Sequence, residues 1–288
     1  FRRREMAALV LRHPLRALRL WREFRRRLRE CEYDLVIDIQ GLTKSWLVLR
    51  QARLAPRGLR IGKGRFIGLD IASPHRRGFR RHAVPSYFEP LESVLSSLPD
   101  AAGMRPVFVP AESARAELED LLHGEQPRAR HVVLHPWTTW ATKHWPEEHW
   151  VTLGRALLGE GLVPVISGAE RDAARSAALA ERIGRGQGGR GAIVAAGRLS
   201  FAGFAHLARQ ALAVISVDSL PMHLAAVAGA RVVALHGPTD PVRTGPWGKR
   251  ALACNAAGVF LSPAGSGEAS GTGMRQDGPF RGEGGEGI

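Results

Sequence analysis

The sequence predicts an α/β protein built on parallel sheets, and three observations carry that reading. From residue 131 onward, short Val, Ile and Ala runs alternate with helical segments in the order β-α-β-α-β-α-β-α-β. That alternation is the pattern of a parallel sheet covered on both faces. Earlier in the chain, Leu35–Ile39 forms another apolar run that leads through Gly41 into a helical segment. Finally, the 288 residues are 44% hydrophobic and 24% charged, ordinary for a globular protein and enough for two domains at roughly 100–200 residues each. This composition excludes global disorder, a collagen-like fibre and a disulfide miniprotein. No uncharged apolar run approaches the ~18 residues of a membrane-spanning helix.

The elements follow in order. His13–Cys31 is a helix: Pro14 suits a first turn, and Leu15, Leu18, Trp21, Phe24, Leu28 and Cys31 recur at helical spacing among arginines. Leu35–Ile39 is a buried strand and Thr43–Arg53 a helix. Residues 56–86 read as basic and loop-rich, followed by helices at Glu89–Leu98 and Ala114–Leu122. A polar linker, Glu125–Arg130, precedes the regular half. There the strands are His131–His135, Leu162–Ile166, Ala192–Ala195, Ala213–Val217 and Arg231–His236. The helices are Pro146–Leu158, Glu170–Ile183, Phe201–Ala211 and Pro221–Ala228. The expected domains are 1–126, 127–262 and a tail over 263–288, and no internal repeat is visible.

The net charge is +14, with eleven Arg against three Glu in residues 1–30. Such a basic region favours an anionic partner: a phosphorylated lipid, a membrane surface or a nucleic acid. The start at Phe1 in an arginine run and the Gly-rich stretch Pro263–Ile288 create the expectation of a fragment with a disordered tail. Cys31 and Cys254 stand in no metal-like or redox-like spacing, which fits a reducing compartment.

Ligands of parallel sheets bind beyond the carboxyl ends of the strands, so the loops there are the candidates. In the loop running from His135 to Pro146, Thr138, Thr139 and Lys143 beside a helix start suit a phosphate. The alternative is a capping threonine and a solvated lysine. His135, His144 and His149 invite a metal, but the last two are five apart, whereas the zinc-binding helix motif needs four; histidines packed among Trp140, Trp145 and Trp150 are the simpler reading. Glu170, after the second strand, could accept from a ribose or could simply favour its helix dipole. Asp218, Ser219 and His223 gather at another helix start. No G-x-S-x-G elbow surrounds Ser219, which argues against a hydrolase triad. His236-Gly237-Pro238-Thr239-Asp240-Pro241 reads as a turn at the same edge. These loops suggest a nucleotide, and the absence of G-x-G-x-x-G disfavours a dinucleotide dehydrogenase.

Four blocks in order carry a resemblance: Val36 to Ser45, Lys143 to Trp150, Asp218 to Leu224, and Gly237 to Pro241. Together they resemble the ADP-heptose:lipopolysaccharide heptosyltransferases of glycosyltransferase family 9, and the first two look most like heptosyltransferase I. The resemblance implies a GT-B fold, two Rossmann-like domains facing across a cleft, with the N-terminal one truncated here. It implies inverting transfer of heptose from ADP-heptose to the Kdo inner core of lipopolysaccharide, with no metal. The implied donor residues are Thr138, Thr139, Lys143, Glu170, Asp218, Ser219, Leu220 and His223, of which Lys143 and Asp218 would be catalytic. Leu220 stands where many members have glycine. Arg2, Arg3, Lys44 and Arg65 would face the acceptor. The family's general base is an aspartate in an N-terminal loop that has no counterpart in this sequence, and Asp38 belongs to a different motif.

The partners implied are Kdo2-lipid A and the anionic inner-membrane surface, for a monomer on the cytoplasmic face without nucleic acid. Two other readings are another nucleotide-sugar transferase of the same fold and a basic anion- or nucleic-acid-binding protein. The second lacks any helix-turn-helix, zinc-finger or RNP motif.

Overall fold

The structure is a computed structural model and describes residues 12–64, 66–73, 82–95, 107–122, 130–188 and 191–261. The Gly-rich tail and most of the expected linker lie outside the described residues. The chain divides into two compact units, Phe1–Pro99 and Asp100–Ile288.

The first unit begins with α1, Pro14–Leu28, which has a proline in its first turn and Arg25, Arg26 and Arg27 in its last. That distribution complements the helix dipole. Glu23 takes hydrogen bonds from Arg26 and Arg27 at 3.2 and 2.8 Å. No residue of α1 is buried, so Leu15, Leu18, Trp21 and Phe24 keep an apolar stripe exposed. A three-stranded parallel sheet follows, in the order β1 (Glu32–Asp38), β2 (Arg53–Lys63), β3 (Ile71–Ser73). Helix α2, Thr43–Leu49, links the first two strands. Helix α3, Ala83–Phe88, runs into a short 3-10 turn at Glu89–Ser93.

Here the structure corrects the sequence reading twice. The segment read as loop contains β2, whose Pro56 and Gly58 mimic a turn in the sequence. The strand absorbs them in a bulge, because the register jumps from Tyr33↔Leu54 to Leu35↔Leu59. A Cβ on Gly58 would lie 2.5 Å from the Tyr33 carbonyl, so only glycine fits there. The helix expected from Glu89 is the 3-10 turn with Pro90 in its first turn.

The second unit carries a seven-stranded sheet in the order β10-β9-β8-β7-β4-β5-β6. Its strands are β4 Arg130–His135, β5 Leu162–Ile166, β6 Ile193–Val194, β7 Ala213–Val217, β8 Val232–Leu235, β9 Ala251–Asn255 and β10 Gly258–Leu261. All pairs are parallel except β9 with β10. Read from β6 to β9, this is the doubly wound order, and the strand order reverses between β4 and β7. The expected strands and helices of this half all appear, with ends shifted by a residue or two and Glu170–Asp172 forming a 3-10 turn. β9 and β10 were not foreseen.

The helices are α4 Arg115–Leu121, α5 Glu147–Gly159, α6 Ala173–Gly184, α7 Phe201–Gln210, α8 Leu220–Val227 and α9 Pro241–Thr244. Two buried clusters form the core. Leu118, Leu121, Phe204, Leu207 and Met222 join Val133 and Val214 in one. Trp150, Leu158, Leu179 and Ile183 join Leu134 and Ile166 in the other. Each fully buried Leu or Ile contributes roughly 1.5–3 kcal/mol. Leu118 and Leu121 tie α4 to this core, so the segment expected in the first domain up to residue 126 packs with the second unit.

Candidate active site

The loops after β4, β5 and β7 open onto one cleft of about 870 Å³ within the second unit. It lies where the strand order reverses, because the chain leaves β4 and β7 in opposite directions and their loops part. Thr138, Thr139, Trp140 and Lys143 come from the first loop, Gly168, Ala169, Arg171 and Asp172 from the second, and Asp218, Ser219, Leu220, Pro221 and His223 from the third. Leu199, Phe201 and Phe204 give the cleft an apolar wall.

At its floor, the Lys143 ammonium donates to Asp218 Oδ2 at 2.6 Å. Thr239 Oγ1 donates to the same oxygen at 2.7 Å, and His236 Nδ1 lies 4.0 Å from it. Asp218 is only 5% exposed. Burial pushes its carboxyl pKa up, but the bonds from Lys143 and Thr239 outweigh this and hold it below the usual carboxylate value. Burial lowers His223 and His236 below the ordinary imidazole value, with Asp218 opposing in both cases. The floor is therefore an Asp218 carboxylate bonded by Lys143, beside two imidazoles that burial keeps neutral. Ser219 precedes α8 in extended conformation, with Pro221 in the helix's first turn. That helix start faces the same floor, as an anion site requires.

A second network stiffens the wall. Trp137 Nε1 donates to Ser176 Oγ at 2.8 Å, and Arg175 stacks on the indole at 4.0 Å. Arg175 also bonds Asp172, whose other oxygen accepts from the Ala169 amide at 2.9 Å. A Cβ on Gly168 would lie 2.8 Å from the Trp137 ring, so this close approach needs glycine. His135 Nδ1 sits 2.9 Å from Ser167 Oγ, and burial pushes the imidazole pKa down to about 4.

Residues 21–259 match glycosyltransferase family 9 (heptosyltransferase). The chain belongs to this family. It is 34% identical over 245 residues to lipopolysaccharide heptosyltransferase 1 of Pseudomonas aeruginosa, covering 80% of this chain and 61% of that protein. It is 32% identical over 248 residues to lipopolysaccharide heptosyltransferase 1 of Escherichia coli K12, covering 84% and 72%. The chain thus spans about three fifths of the Pseudomonas relative's length. Among solved structures, the E. coli heptosyltransferase WaaC with ADP superposes with a TM-score of 0.61 at 29% identity, over 85% of this chain and 72% of that one. A family 9 glycosyltransferase from Veillonella parvula gives 0.70 at 20% identity, over 81% and 67%, a likeness of fold. The α/β architecture is the GT-B class of these heptosyltransferases.

Of the family residues named from the sequence, Thr138, Thr139, Lys143, Asp218, Ser219, Leu220 and His223 line the one cleft. Glu170 does not: it is exposed and begins the 3-10 turn, while its neighbours Ala169 and Arg171 form the wall. Lys44 is exposed on α2 of the first unit, and Arg2, Arg3 and Arg65 lie outside the described residues. Trp140 is 63% exposed and stacks on no histidine among the described residues; its ring faces the Lys143 ammonium at 5.3 Å. His149 does pack on Trp145, at 4.9 Å. His144 Nε2 lies 3.0 Å from the Thr138 carbonyl oxygen. Among the described residues no group of three or more His, Cys, Asp or Glu is placed to hold a metal ion. The sequence reading missed Thr239 and His236, because a Gly-Pro-Thr-Asp-Pro stretch reads as a turn. The clue was its place after β8, beside the strand that delivers Asp218.

Proposed function

We propose that the protein is an inverting heptosyltransferase that moves heptose from ADP-heptose to the Kdo inner core of lipopolysaccharide. The observation that carries this is the Lys143–Asp218 pair at the floor of a cleft with an apolar wall, held from behind by Thr239. Such a cleft suits a nucleoside diphosphate, with the base on Leu199 and Phe204 and the phosphates at the polar floor. The solved WaaC structures, one with ADP and one with ADP-2-deoxy-2-fluoro heptose, support the choice of donor.

In this reading an acceptor hydroxyl attacks the anomeric carbon in line, and ADP leaves from the opposite face. Negative charge grows on the leaving phosphate. Lys143 and the amides at the start of α8 stabilise that charge more than the ground state, which is what accelerates the reaction. Thr138, Thr139 and Ser219 donate to the diphosphate or sugar, Asp218 orients Lys143 and the sugar, and His223 closes the floor. Glu170, which stands outside the cleft lining in this structure, is the one donor residue of the family pattern to which this geometry gives no contact. No metal is required in this scheme, because Lys143 and the helix start supply the positive charge.

Asp38 is not the general base. Its Oδ1 accepts from the Gln40 and Gly41 amides at 2.9 and 3.1 Å, and its Oδ2 from Ser45 Oγ at 2.8 Å. The bonds it makes among the described residues are spent on its own turn, so we assign the general base to a different carboxylate. Arg2, Arg3, Lys44 and Arg65 are assigned to the anionic acceptor, Kdo2-lipid A.

Calorimetric titration with ADP, UDP and GDP tests the donor reading: ADP binds best, and a preference for UDP or GDP would overturn it. We further place the protein, as a monomer, at the cytoplasmic face of the inner membrane. The exposed stripe of α1 beside its arginines supports this, each basic residue near an anionic surface contributing ~1 kcal/mol. No described helix is long and apolar enough to cross a membrane. Reversing Arg25, Arg26 and Arg27 to Glu abolishes sedimentation with anionic liposomes; unchanged sedimentation would remove the membrane role.

A further inference from the structure

Lys143 is asked to do two things. In this structure its ammonium bonds Asp218; in the proposed reaction it turns to the donor's diphosphate. That exchange takes a partner from a buried carboxylate, which is strongly destabilising unless another donor remains. Thr239 is such a donor, because its hydroxyl bonds the same Oδ2 at 2.7 Å.

The hydroxyl has a single proton, and Asp218 takes it. The 3.2 Å contact between Thr239 Oγ1 and His236 Nδ1 therefore needs the proton on Nδ1. The hydrogen-bond network thus assigns His236 as the neutral Nδ1–H tautomer. Its side chain is completely buried, and Nε2 has no hydrogen-bond partner among the described residues. Burial keeps the imidazole neutral, as this tautomer requires, although Asp218 and Asp240 pull the other way. His236 is thereby a fixed donor that aims the Thr239 hydroxyl at Asp218. Neither residue lines the cleft, so neither acts by touching a ligand.

We infer that Thr239, aimed by His236, is a positioning residue of the donor site: it keeps Asp218 placed and hydrogen-bonded while Lys143 turns to the diphosphate. This rests on the donor reading above. It has a definite sign. Without the Thr239 hydroxyl, Asp218 holds Lys143 as its main partner, and a diphosphate must compete harder for the ammonium.

ADP titrated into the full chain by calorimetry tests it. If the wild type does not bind ADP, the donor reading falls and this inference with it. If it does, Thr239→Val weakens ADP binding at least fivefold, and Thr239→Ser stays within twofold of wild type. Thr239→Ala replaces the valine variant should that one fail to fold. His236→Asn, which keeps a side-chain N–H near the Nδ1 position, retains most of the affinity, whereas His236→Leu loses it as Thr239→Val does. In a Lys143→Ala background, Thr239→Val has less than a twofold further effect, because both act through the same carboxylate. A purely structural role would not vanish in that background. Wild-type affinity in Thr239→Val, or a fivefold loss that persists without Lys143, would overturn the inference while leaving the donor reading intact.

Discussion

Asp38 and Asp218 occupy equivalent places in the two units. Each closes a parallel strand, and each is 5% exposed. Asp38 spends both oxygens on groups two, three and seven residues away. Asp218 bonds Lys143, 75 residues distant, and Thr239, 21 residues distant. The first closes a turn and holds the start of α2. The second gathers loops from separate strands into one floor. A buried carboxylate with purely local partners is a structural fastening, whereas one with distant, charged partners at a sheet's switch point is machinery.

Three experiments sharpen or break this contrast. The largest effect concerns His135, another strand-end group with a distant partner. Its folded pKa of about 4 lies below its unfolded value of 6.5. The unfolded state therefore binds the proton first as pH falls, and stability present above pH 6.5 is lost on the way to pH 4. The loss amounts to roughly 3 kcal/mol, read as a falling urea midpoint. His135→Asn flattens that slope; an unchanged slope would contradict it. Next, Lys143→Ala weakens ADP binding more than tenfold, about 1.4 kcal/mol or more, with the thermal midpoint of the second unit nearly kept. Normal affinity would make the Asp218 pair as structural as that of Asp38. Smallest, Asp38→Ala costs about 1 kcal/mol of stability in the first unit and leaves ADP affinity alone. A loss of ADP affinity there would end the distinction.

The regular half was legible because its pattern is local and repeated. Leu162–Ile166 and Ala213–Val217 are strands over their full expected lengths. Their short apolar runs sit between helical segments such as Phe201–Gln210, whose apolar face is buried. β2 was hidden because Pro56 and Gly58 are turn residues by type, and only the pairing with β1 shows that a bulge absorbs them. The packing of α4 was misjudged because periodicity tells which face of Leu118 and Leu121 is buried but not which sheet buries it. At the site, Lys143 and Asp218 were found as separate motifs in separate loops. Thr239 was passed over because the carboxylate it bonds follows another strand, and His236 because its partner is Thr239 itself.

The sequence by itself determined the alternation of strands and helices, the family, and the loops that bear phosphate-binding chemistry, since each of these is written in contiguous residues. Tertiary structure alone decided that Glu170 stands outside the cleft wall, that Trp140 meets Lys143, and that three loops share one carboxylate. The physical reason is the strand order: in the doubly wound sheet β4 lies beside β7, so residues far apart along the chain become neighbours only once the sheet is assembled.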